Sequence, residues 1–147
     1  MRKSEISAEF SADIQKVWDV VTNNENFSWR TDLTTVEILE NEQAFIEQTT
    51  EGFRTKFKIT KKVTCQSYAF TIMNQRFTSS WTGQFTKTAT GGTIIKFTEY
   101  IHIKNRVVEI LSYFFMNLKK MQMTYVHDLR SKLGEADHDS RSKRSRE

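Results

Sequence analysis

NRVVEILSYFFMNLKKMQMTYVHDLRSKL, residues 105–133, is the stretch on which the fold turns. Apolar side chains recur at Val107, Leu111, Phe114, Leu118, Met121, Tyr125, Leu129 and Leu133. Steps of three and four draw one stripe along a helix. A stripe that long has to be covered. The only apolar surface of matching size is the inner face of a sheet built from the preceding residues. The expected fold class is α+β, a seven-stranded curved antiparallel sheet wrapped around a long C-terminal helix. Between Val107 and Leu118 the helix is apolar on more than one face, and from Lys119 to Leu133 it narrows to ordinary spacing. The first half is therefore expected to close a pocket, and the second to anchor the fold.

Upstream, the period falls to two. Val36 and Ile38, then Phe45, Glu47 and Thr49, then Phe57 and Ile59, then Tyr68, Phe70 and Ile72 mark four successive strands. Asn41-Glu42 and Glu51-Gly52 mark turns, and Asn74 to Thr78 a loop. Ser79 to Lys87, with Trp81 and Phe85 on one face, runs through Gly91-Gly92 into Thr93 to Lys104. That last strand carries Ile95, Phe97, Glu99, Ile101 and Ile103 on one side. Connections this short make all six strands antiparallel neighbours, because a parallel pair needs a crossover of about a dozen residues.

The chain opens with one further strand, Glu5 to Phe10, carrying Ile6, Ala8 and Phe10 on one side. Ser11 is placed to cap a helix with Asp13 in its first turn and a buried stripe at Ile14, Val17, Trp18 and Val21. Glu25 to Leu33 has the spacing of one more helical turn at Phe27, Trp29 and Leu33. The expected order is β-α-α-β6-α.

A chain of 147 residues fits one domain with a core of its own. Cys65 is the only cysteine, so no internal disulfide forms and a reducing, cytoplasmic setting is expected. The residues from Met1 onward show no apolar leader pattern and no run of eighteen apolar residues, so stable membrane insertion is not expected. The net charge of +4 and pI near 9.2 raise nucleic acid or an anionic surface as partners. Arg54, Lys56, Lys58 and Lys62 share one strand parity, either a solvated outer face or a contact stripe for a protein or RNA partner. No DNA-binding signature accompanies them. Gly134 is expected to end the domain at 1–134, leaving residues 135–147 as a disordered charged tail. Four basic and four acidic side chains between Gly134 and Glu147 cancel, so the positive charge belongs to the domain.

Several local patterns are shared with a known family. They include Lys16-Val17-Trp18, Trp29-Arg30-Thr31-Asp32-Leu33 followed by Val36-Glu37-Ile38-Leu39, and Trp81-Thr82. Gly91-Gly92-Thr93 leading to Phe97-Thr98-Glu99, Phe114-Phe115-Met116, and Leu129-Arg130-Ser131-Lys132-Leu133-Gly134-Glu135 complete the set. With the order of elements, these resemble the START-like, or SRPBCC, superfamily and its polyketide cyclase/dehydrase-like branch, over residues 6–135. The resemblance implies a helix-grip fold whose sheet and long helix leave a gap for lipids, polyketides or other hydrophobic molecules. Where that family often carries proline, before the first and last helices, this chain has Ala12 and Arg106, and Asn105 remains available as a cap. Relatives often place a second acidic residue after the position of Glu99, which is Tyr100 here.

The inward parity would line such a gap with Phe57, Tyr68, Phe70, Trp81 and Phe97, facing Trp29, Leu111, Phe114, Phe115 and Leu118. The same side chains packed together would instead make an ordinary core. Glu99 interrupts the apolar face of its strand, where a carboxyl group is either paired or shifted in pKa. Unpaired, it has the character of a general acid or base, for instance in proton abstraction α to a carbonyl. Glu47, on the inward face of its own strand, is a weaker candidate of the same kind. His102, His127 and His138 have no metal-ligand spacing, and Gly91-Gly92 is followed by no phosphate-loop pattern, so neither metal nor cofactor is expected. Three functions stay open: binding of a small hydrophobic ligand, a cyclase-, dehydratase- or isomerase-type reaction using Glu99, and partnering through the basic strand face.

Overall fold

A computed structural model describes residues 1–73, 77–115 and 117–135; the side chains of Leu111, Tyr113, Phe114 and Phe115 lie outside the described set. The elements are β1 (Arg2–Phe10), α1 (Ile14–Thr22), β2 (Leu33–Leu39), β3 (Ala44–Thr49), β4 (Arg54–Val63), β5 (Ser67–Met73), β6 (Phe77–Lys87), β7 (Thr93–Ile103), α2 (Arg106–Phe115) and α3 (Leu118–Lys132). All seven strands join one antiparallel sheet in the order β1-β7-β6-β5-β4-β3-β2. It is the curved sheet of a helix-grip fold.

The β6–β7 hairpin carries the register. Trp81 pairs with Glu99, Gly83 with Phe97 and Phe85 with Ile95, so these side chains share the concave face. Gly92 in the hairpin turn would set a Cβ 2.4 Å from the Phe10 carbonyl oxygen. Only glycine lets the end of β1 come that close. β6 starts at Phe77, so Phe77 and Thr78 belong to the strand and not to the preceding loop. Residues 74–76 of that loop are outside the described set.

Two helical expectations change. Residues 23–32 form turns instead of a second helix, because the Asn23 side chain accepts the amides of Glu25 and Asn26, at 3.1 and 3.3 Å. Such a side-chain bond offers the backbone an alternative to helical pairing. The cap of α1 is Asp13, whose Oδ1 accepts from the Lys16 amide at 3.0 Å. Ser11 instead donates its amide to Glu135, which also accepts from the Ala12 amide at 3.2 Å. Glu135 thus ties back to the end of β1, and the expected tail from 136 onward lies outside the described residues. The stripe at Ile14, Val17, Trp18 and Val21 is buried as expected.

The C-terminal helix is in two segments. Asn105 caps α2 through the Val107 and Val108 amides, at 2.9 and 3.3 Å. Asn117 caps α3 through the Lys120 amide at 3.0 Å. Val107 is 65% exposed and Met121 55%, so the uninterrupted stripe does not hold. The buried line of α3 runs through Leu118, Gln122, Val126 and Leu129. Gln122 occupies a buried place because it pairs twice with Ser4 of β1. The Ser4 hydroxyl donates to its Oε1 at 2.7 Å, and its amide donates to the Ser4 carbonyl at 3.0 Å. Arg130 donates to the Glu9 carbonyl at 2.6 Å and lies over the Phe10 ring, fastening the far end of α3 to the same strand. Gly134 (φ +73) ends α3, with the Gly134 and Glu135 amides closing on Ser131 and Arg130.

Candidate functional site

Between the concave face, α3 and the turns of residues 23–32 lies a cavity of about 200 Å³, open to solvent on one side. Its floor is an aromatic row across the sheet. Phe45 stacks on Phe57 at 4.9 Å, Phe57 meets Phe70 edge-on at 5.2 Å, and Phe70 stacks on Trp81 at 4.6 Å. Trp81 reaches that position because Gly83 lies under it: a Cβ there would stand 2.9 Å from the indole ring.

Of the residues expected to line a gap, Trp29, Glu47, Phe57, Tyr68, Phe70, Trp81, Glu99 and Leu118 do so. Phe97 does not. It is fully buried beneath the wall, against Trp81 and Tyr125 at 5.0 and 5.2 Å. Leu111, Phe114 and Phe115 lie on α2, and their side chains are outside the described residues. The division of labour between helix halves also changes, since α3 both anchors β1 and supplies Leu118, Met121, Gln122 and Tyr125 to the cavity.

The polar groups fall into two sets. In the first, the Arg30 guanidinium forks onto Asp32, with Nε to Oδ1 at 3.0 Å and Nη2 to Oδ2 at 3.1 Å. It makes one longer contact to Glu47 at 3.5 Å and lies 4.8 Å from the centre of the Tyr125 ring. Burial raises the Glu47 pKa against the pull of Arg30, and the nearby Asp32 adds to the rise. The Arg30 pKa, which burial alone would lower, is raised by its two carboxylate partners. Tyr125 and Tyr68 have phenol pKa values raised chiefly by burial, and the Tyr68 hydroxyl accepts from Asn24 at 3.2 Å. In the second set Glu99 stands apart. Its Oε1 accepts from the Ser79 hydroxyl at 3.1 Å, and no ion pair reaches it among the described residues. Burial raises its pKa, partly offset by that hydrogen bond.

Arg30, Asp32 and Tyr125 carry much of the site without having been marked as candidates. Asp128 is the hidden positioning residue. Buried on α3, it accepts the Thr31 amide at 2.9 Å and the Thr31 hydroxyl at 2.9 and 3.1 Å, which holds Trp29, Arg30 and Asp32 over the cavity. A buried aspartate at helical spacing was the available signal, since such a group requires partners.

The basic stripe is reorganised by a bulge between Ile59 and Lys61. Lys61 takes the outer row opposite Ala69, while Lys62 pairs with Tyr68 and turns to the concave side, where it lines a polar recess with Thr22 and Glu42. Arg54 pairs with Glu37 at 3.5 Å and Lys56 with Glu40 at 2.9 Å, exposed pairs that offset part of the outer charge. Among the described residues, no three His, Cys, Asp or Glu are grouped to hold a metal ion, and no helix is long and apolar enough to cross a membrane.

A family model described as polyketide cyclase / dehydrase and lipid transport matches residues 1–117. The chain belongs to that family. The match ends just before α3, and solved structures extend the likeness beyond it. XoxI from Bacillus cereus is 13% identical, with a TM-score of 0.69 over 90% of this chain and 95% of its own. A conserved protein from Geobacillus kaustophilus is 11% identical, with a TM-score of 0.74 over 90% and 95%. Norcoclaurine synthase from Thalictrum flavum is 12% identical, with a TM-score of 0.72 over 92% and 87%. At such identities the structural likeness speaks for the fold alone. No curated protein matches the chain.

Proposed function

We propose that the protein binds a small hydrophobic molecule, of about one aromatic ring, between its sheet and α3. The observation that carries this reading is the cavity of about 200 Å³ floored by Phe45, Phe57, Phe70 and Trp81. An apolar cavity of about 150 Å³ is enough to take up benzene, so this space suits a single substituted ring. A long acyl chain or fused polyketide would have to extend through the open side. Trp29 and Trp81 line the space, so an occupant changes their fluorescence. Indole and 1-naphthol, titrated against the intact chain, are expected to quench that emission and to raise the melting temperature, as any ligand confined to the native state does. If neither they nor a palmitate control produces a shift, the reading is wrong.

A second reading is favoured by one feature, the Glu99 carboxyl in the cavity lining beside Trp81, its pKa raised by burial. In it, Glu99 takes a proton from carbon α to a ligand carbonyl and returns it to the product. Deuterium uptake by phenylacetone in heavy water, followed by NMR, is expected to accelerate with the protein and to fall by about 10²- to 10⁴-fold in Glu99→Gln. Exchange no faster than in buffer excludes this second reading.

A further inference from the structure

The charges around the cavity do not balance. Among the described residues of the lining, one guanidinium, Arg30, accompanies three carboxyl groups, Asp32, Glu47 and Glu99, and there is no lysine. Arg30 is already committed, forking onto Asp32 and touching Glu47. Among the described residues, Glu99 therefore has a hydroxyl partner and no cation. Among the described residues, the groups that face it are neutral. On β6 these are Ser79 and Trp81, on β1 its cross-strand neighbour Ser4, and on α3 Met121 and Gln122. Arg2, on the same face of β1 as Ser4, directs its guanidinium to the Ser112 carbonyl and hydroxyl on α2, at 3.0 and 3.2 Å. Gln122 is likewise engaged with Ser4.

A carboxylate half-buried beside an aromatic wall loses hydration that one hydroxyl does not replace. A bound cation that donates hydrogen bonds to the carboxylate would restore it. Resting on the cavity reading above, we infer that the ligand class is a protonated aromatic amine, its ring on the Phe70–Trp81 floor and its ammonium group against the Glu99 carboxylate. The Arg30–Asp32–Glu47 set lines the same space, with its guanidinium committed to its two carboxyl partners.

The test compares 2-phenylethylamine with 2-phenylethanol, which keeps the ring and chain but carries no charge, by titration calorimetry on the intact protein at pH 8. The amine is expected to bind roughly 10- to 100-fold more tightly, the range of a hydrogen bond to a charged group. In Glu99→Gln, with folding verified by circular dichroism and melting temperature, that preference is expected to collapse to near unity. Affinity of the unsubstituted protein for the amine should rise with pH as Glu99 ionises, and fall again near pH ~10 as an alkyl ammonium loses its proton. The rising limb should be absent in Glu99→Gln. Equal affinity for amine and alcohol overturns the inference and leaves the cavity reading standing. Binding of neither overturns both. A preference that survives in Glu99→Gln overturns the assignment of the ammonium to Glu99.

Discussion

At the end of the concave face beneath α1, Trp18 meets Tyr68 and Phe85 edge-on, at 6.1 and 5.0 Å, and the rings join Phe10, Ile95, Phe97 and Leu129 in a filled core. At the other end Phe45, Phe57 and Phe70 make ring contacts of the same kind, at 4.9 to 6.0 Å, yet border about 200 Å³ of space. The walls are alike, and the covers differ. Apolar faces of α1 and α3 press into the first end. The second is roofed in part by the turns of residues 23–32, which contribute Asn23, Asn24, Phe27, Trp29, Arg30 and Asp32 to the lining. A helix fills a concave face with interlocking side chains, whereas a turn held by polar bonds bridges it. The cavity therefore follows from what lies over the sheet more than from the sheet itself.

That contrast is open to direct attack. The largest effect is expected from Leu129→Ala, because Leu129 is fully buried at the filled end and its removal leaves a void that the surroundings cannot close. Unfolding in denaturant should show a loss of about 2–5 kcal/mol. Phe57→Ala deletes more atoms but enlarges a space that already exists, so its cost should stay below about 3 kcal/mol. A Phe57→Ala loss larger than that of Leu129→Ala would break the distinction between the two ends.

The roof is tested next. Asp128→Ala strands the Thr31 amide and frees the turns of residues 23–32, at an expected cost of about 1–3 kcal/mol. Hydrogen exchange should quicken in residues 23–32, with the α1 helix unchanged. Uniform acceleration through both regions would show that Asp128 holds more than the roof.

The smallest effect sharpens the comparison through pH. Burial raises the Glu99 pKa above its ordinary 4.5, so the folded protein holds a proton there that the unfolded chain has released. Stability from this group is complete below about pH 4.5 and is lost as pH rises through the folded pKa. Glu99→Gln removes that loss. The variant should match the unsubstituted protein in acid and exceed it in melting temperature at pH 8, and a difference independent of pH would contradict the burial of Glu99.

Much of the fold was legible in residue spacing. The α1 stripe and the alternation along β3, β5 and β7 placed the inner face correctly because burial on one side of a strand imposes a period of two. The new helix start at Asn117 and the turns at 23–32 were not legible, since Asn117 and Asn23 act through local side-chain bonds that apolar periodicity ignores. The same blindness hid Gln122 and Asp128, polar residues buried on α3 with partners in β1 and at Thr31, 118 and 97 positions away. Glu47 and Glu99 were found because each interrupts an apolar face. Arg30 was passed over because a surface-type residue in a polar segment carries no such mark.

By itself, the sequence determined a seven-stranded antiparallel sheet, the face of it that is apolar, and two carboxyl groups set into that face. These follow from local alternation and short connections, which need no knowledge of distant partners. Tertiary structure decided that Phe97 is core while Trp81 is wall, that Lys62 leaves its row at a bulge, and that among the described residues Glu47 shares a cation while Glu99 has none. Each of those depends on which groups from remote parts of the chain arrive within a few ångströms, and that is set by packing geometry.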